Sequence, residues 1–161
     1  MQGIIPHTKT TRSYERLLAV VGAIVCVITC VRIWQVLQSD YSPGGPQPIW
    51  PLPGLYLLEM IAMGIIGAFS VVNGNAERSS AWGAVTWAVV GVLAAFVVMG
   101  AWSIGLLFSP AVLIFTLVAI LSDRRRSQSF ILHLGLCVMA GLAQVAVMFA
   151  AIRLLYPNAA F

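Results

Sequence analysis

Five long apolar stretches alternate with short polar gaps along this chain: Leu17 to Leu37, Pro53 to Val72, Ala81 to Gly100, Ile104 to Ser122, and Phe130 to Leu155. A hydrocarbon core about 30 Å thick is crossed by roughly 20 apolar residues in a helix. Each stretch therefore predicts one transmembrane helix, and the last, being longest, predicts a tilted or projecting one. Ala81 to Leu121 has almost no polar break. As one straight helix it would run about 60 Å, twice the core thickness, so the chain must turn back. Gly100-Ala101-Trp102-Ser103-Ile104-Gly105 supplies small residues and an interfacial tryptophan for a tight hairpin, leaving Pro110 early in the fourth helix, where proline is tolerated. The competing reading ends the third helix near Ser109 and makes the remainder re-entrant. The expected fold is an all-α integral membrane bundle of five spans, with a tight hairpin between helices 3 and 4.

Charge sets the expected direction. Lys9, Arg12, Arg16, Arg78, Arg124, Arg125 and Arg126 fall on one side of such a five-span threading, and the opposite gaps carry no Lys or Arg. Positive residues accumulate on the cytoplasmic side. This predicts a cytoplasmic tail (1–16), a five-span domain (17–155) and a short outer tail (156–161), in a bacterial plasma membrane. The first stretch lacks a small-x-small cleavage site and reads as a retained anchor. Residues 38–52 form a Pro/Gly-rich outer strap. Trp34, Tyr41, Trp50, Tyr56, Trp102 and Tyr156 cluster at that level as an interfacial belt.

Composition agrees with this picture. The 161 residues are 60% hydrophobic and only 9% charged, against about 25% charged in soluble domains. The net charge of +4 is accounted for by orientation. Arg124, Arg125 and Arg126 read as a topogenic anchor meeting lipid headgroups, with no nucleic-acid partner implied. Cys26, Cys30 and Cys137 lie within apolar runs and form no disulfide framework.

Polar residues inside the spans are the candidate sites. Arg32 precedes Gln38 by six residues and Glu59 follows Pro53 by six, so both sit about 9 Å below the outer boundary. Equal depth on antiparallel helices predicts an intramembrane Arg32–Glu59 ion pair, which lowers the cost of each charge. Thr29, Arg32 and Gln35 on the first helix, and Glu59, Met63, Gly67 and Ser70 on the second, are expected to face the bundle interior. His133, Cys137, Ala140, Gln144 and Ala151 make a polar and small-residue stripe on the fifth helix, with His133 and Gln144 as hydrogen-bonding members. Arg153 lies off that stripe and snorkels to headgroups. Helically spaced small residues, Gly22/Cys26/Cys30, Gly64/Ala68, Ala84/Ala88, Gly91/Ala95 and Ala146/Ala150, permit close helix contact.

Reactive groups are sparse. Asp40 and Asp123 fall on opposite sides, so no Ser/His/Asp constellation is expected within the bilayer. No His/Cys/carboxylate set has metal spacing and no phosphate loop occurs. The expectation is a non-enzymatic protein without metal or cofactor. It would be an accessory, assembly or scaffold subunit whose partners are the lipid bilayer and either another membrane protein or copies of itself. The alternative is a small transporter or channel using Arg32/Glu59 and Gln144/His133.

Overall fold

A computed structural model describes residues 7–39, 52–74, 80–100, 104–126 and 130–155; the side chains of residues 7–11, Ser80, Arg125 and Arg126 lie outside that description. The described residues form α1 (His7–Ser39), α2 (Leu52–Asn73), α3 (Ser80–Met99), a 3-10 turn (Gly105–Phe108), α4 (Ser109–Arg126) and α5 (Phe130–Leu155), with no strand among them. Five helical segments are long and apolar enough to cross a membrane: Arg12–Ser39, Leu52–Asn73, Ala81–Met99, Gly105–Arg124 and Phe130–Leu155. The expected spans match these closely. The main difference is α1, which starts at His7, well before the apolar onset at Leu17. Nothing between Thr8 and Arg16 breaks a helix, and Pro6 sits just ahead of its start, where proline is harmless. The Pro/Gly-rich strap from 40 to 51, Trp102, Tyr156 and the tail 156–161 lie outside the described residues.

The fourth span is a continuous helix entered through a 3-10 turn. The third helix ends at Met99, not near Ser109 as the re-entrant alternative required. Pro110 has no N–H for the Leu106 carbonyl four residues earlier, and its ring crowds that position. Ser109 N–H takes the carbonyl instead, closing a 3-10 bond. Where α3 ends, Gly100 N–H bonds the Phe96 carbonyl at 2.9 Å and Gly105 N–H bonds the Gly100 carbonyl at 2.8 Å. A Cβ on Gly105 would lie 2.6 Å from Gly100 Cα. The reversal therefore requires glycine at both places.

Helices α1, α2, α3 and α4 form a ring in which each packs on its neighbours, α4 closing on α1; α5 lies outside it, with α3 as principal neighbour. Helix α3 is apolar on all sides, the pattern of a buried helix, and half of its span is buried, against 11% of α5. Small residues open the centre of the ring. Phe115 of α4 is fully buried, with its ring set between Gly22 of α1 and Gly67 of α2. Cβ atoms at those glycines would come within 3.1 and 2.7 Å of it. Without a hydrophobic drive between helices in lipid, such close van der Waals packing is the main cohesive term.

Candidate functional site

Two polar seams cross the bundle. The first lies at the basic end, where α1 begins and the α2–α3 and α4–α5 connections fall. The last carbonyls of a helix have no partner within it. Those of α2 are met from α1: Arg16 Nη2 donates to the Val72 carbonyl at 3.1 Å, and Arg12 Nη2 reaches the Gly74 carbonyl at 3.5 Å. Cationic groups also suit the negative end of the helix dipole. Replacing Arg16 with Ala is expected to cost on the order of 0.5–1 kcal/mol. The readout is faster amide hydrogen exchange across residues 70–74, with α3 and α5 unaffected.

Deeper in this seam, Asp123 of α4 is 4% exposed and accepts two hydrogen bonds on one oxygen. Trp87 Nε1 of α3 donates to Asp123 Oδ2 at 2.9 Å, and His133 Nδ1 of α5 lies 2.8 Å from the same atom. With Asp123 as a carboxylate, the Nδ1 position carries the proton and donates. Phe130 packs edge-on against Trp87 with centroids 5.4 Å apart, covering the pair. Beside it, buried Glu15 of α1 accepts from Ser122 Oγ of α4 at 3.4 Å. Ser70 of α2 and Thr86 of α3 meet at 2.9 Å. Each hydroxyl is also placed to donate to its own helix backbone. One proton per hydroxyl allows only two of these three bonds at a time.

The Asp123–His133 contact was not anticipated from the sequence, which placed Asp123 outside the fourth span. Asp123 lies three residues before the end of α4 and His133 three after the start of α5. The hairpin therefore brings them to one height. That symmetry about the turn was available in the sequence. Glu15 was missed as well, although it continues the α1 stripe of Ala19, Gly22, Cys26, Cys30 and Ile33 by one more turn. Asp123 fixes the orientation of the imidazole, as the carboxylate of a carboxylate–histidine pair does. The Ser122 hydroxyl is committed to Glu15, so among the described residues no serine completes a nucleophilic relay. Nor does any group of three His, Cys, Asp or Glu among them suit a metal ion.

The second seam joins α2 to α5. Gln144, 6% exposed, approaches the half-buried Glu59 carboxyl. Its Nε2 nevertheless makes no hydrogen bond of ordinary length. Arg32 is absent from this seam. The structure does not bring Arg32 and Glu59 together, although their predicted depths agree. Arg32 lies about 200° around α1 from Cys30, at 100° per residue. Cys30 and Ile33 are buried, whereas Arg32 and Gln35 are exposed. Of the expected inward stripe, Arg32 and Gln35 thus look outward, whereas Thr29 is partly buried. On α5, His133 and Gln144 are buried, and Cys137 and Ala140 are partly so. Arg124 is exposed, and Arg153 is exposed in the last turn of α5.

No protein-family model matches the chain, and no curated protein or solved structure is detectably similar to it.

Proposed function

We propose that this protein is a non-enzymatic, multi-pass subunit of a larger membrane assembly, acting in scaffolding or assembly. In this reading it lies in a bacterial plasma membrane with its amino end inside. Its partner is a second membrane protein, or another copy of the chain, docked on the outward flank of α1. The observation that carries the reading is the exposed polar stripe of Arg32 and Gln35, with Gln38 and Ser39 beyond them. Arg32 is seven residues from the end of α1, about 10 Å along the axis. An arginine facing hydrocarbon costs several kcal/mol, and a neighbouring helix with acceptors at that depth removes much of this cost. Lipid phosphates reached by snorkelling compete for the same side chain. The test separates the two.

Purification in a gentle detergent should yield a stoichiometric protein partner, or a defined oligomer. Arg32→Ala should release it while the helical content of the bundle stays intact, and Arg32→Lys should retain part of it. A solitary chain, or a partner indifferent to Arg32, would refute the proposal. The transporter reading draws on Glu59 facing Gln144. It loses two of its four residues from that site, because Arg32 turns outward and His133 is tied to Asp123 at the basic end.

A further inference from the structure

A cavity of about 260 Å³ opens at the end of the bundle opposite Arg12, Arg16 and Arg124. Tyr56, Leu57 and Met60 of α2 line it together with Phe96 of α3, Phe108 and Met148 of α5, among others. Its wall is almost wholly apolar, and a dry apolar cavity of about 150 Å³ already admits benzene. This one has room for a substituted ring or a stretch of acyl chain. A second groove of similar size, between α1 and α2 near Cys30 and Trp34, has no polar group to orient a guest.

What distinguishes the first cavity is two buried polar atoms left without partners: Tyr56 Oη in its wall and Gln144 Nε2 one helical turn from Met148. Buried polar groups are ordinarily hydrogen-bonded, and an exception asks for an explanation. The Tyr56 ring is already held, edge-on against Phe96 at 5.7 Å, so its hydroxyl is placed by packing and not by a bond of its own. The amide Nε2 can only donate, and a phenol O–H donates readily. Gln144 has the Glu59 carboxyl beside it, whereas Tyr56 Oη lacks any acceptor oxygen.

We propose that this cavity binds a lipophilic carbonyl compound, either a quinone ring or the ester region of an acyl lipid. The apolar body fills the space beside Met60, Phe96 and Met148, and the carbonyl oxygen accepts from Tyr56 Oη. The Glu59 carboxylate nearby offers no donor and disfavours an anionic head. The site is independent of the docking flank on α1.

The test uses the full chain in nanodiscs of ether-linked phosphatidylcholine, which carries no ester carbonyl. A photoreactive short-chain benzoquinone and a photoreactive diacyl ester phospholipid are added separately, and cross-links are mapped by peptide mass spectrometry. Labelling should concentrate on residues 52–60 and around Met148. Tyr56→Phe, which removes only an unpartnered hydroxyl and should fold normally, should weaken labelling about five- to tenfold, the worth of one hydrogen bond. Met148→Trp, which fills the cavity, should abolish it. Labelling by the quinone alone identifies a quinone site, and by the ester lipid alone an acyl-lipid site. Absence of labelling by both probes, or labelling unchanged in Tyr56→Phe, would overturn the proposal.

Discussion

Replacing Gly91 with Ala should pry α5 away from α3. A Cβ at Gly91 would overlap the Cys137 carbonyl oxygen and lie 2.9 Å from its carbonyl carbon and 3.2 Å from its Cα. These are backbone atoms of the opposing helix, so no rotamer change relieves the clash. The same seam holds Gly141, whose Cβ would come 3.0 Å from the Gly91 carbonyl oxygen. Helix α5 has α3 as its principal neighbour, so a shift here affects nearly all of its packing. Overpacking of a tight contact costs about 1–3 kcal/mol, occasionally more, and Gly91→Ala should lie at or above the upper end. Stability can be followed by denaturing-detergent titration in mixed micelles. Labelling of Cys137 by a membrane-permeant thiol reagent should rise, while buried Cys26 and Cys30 stay protected. Gly135→Ala is the control, because nothing lies within 4 Å of its Cβ position. If the two variants are equally stable, the close α3–α5 approach is not what holds α5.

The second large effect is expected at Asp123. Its Oδ2 joins α3, α4 and α5 through Trp87 and His133, and all three side chains are 4% exposed or less. Asp123→Ala leaves an indole N–H and an imidazole nitrogen buried without a partner. At about 1–3 kcal/mol for each of the two orphaned groups, the loss should be about 2–6 kcal/mol. His133→Ala alone should cost less, because Trp87 keeps its acceptor. The two changes share a bond, so their effects should fall short of additive in a double-mutant cycle. Asp123→Asn should recover part of the loss, since its amide oxygen still accepts. Strict additivity, or a loss below about 0.5 kcal/mol in Asp123→Ala, would mean that the contact contributes little.

The two seams differ in how they could be read from the chain. The Arg32–Glu59 pairing was inferred from depth alone, by counting residues from the ends of two spans. The count was sound, but the contact also needs the right rotation about each helix axis. That rotation follows from Cys26, Cys30 and Ile33 packing inward. Applied to the α4–α5 hairpin, the same counting would have found Asp123 and His133. There Asp123 was assigned to a loop by its charge, when in fact it belongs to the last turns of α4. Gln144 was legible as a buried residue on its stripe, whereas its approach to Glu59 was not, since it depends on how the helices pack.

Run length was sufficient for the number of helices, most of their limits and the reversal between α3 and α4, though not for the start of α1 or the end of α4. These are properties of position along the chain: hydrocarbon thickness sets how long an apolar run must be, and glycine and proline mark where backbone geometry changes. Tertiary structure alone decided which side of each helix meets a neighbour. In a soluble protein the polar face announces the outside, but helices apolar on nearly every side carry no such mark. Rotation is then settled by where backbones can approach most closely, at Gly22, Gly67 and Gly91, and that choice sends Arg32 outward and draws Asp123 in.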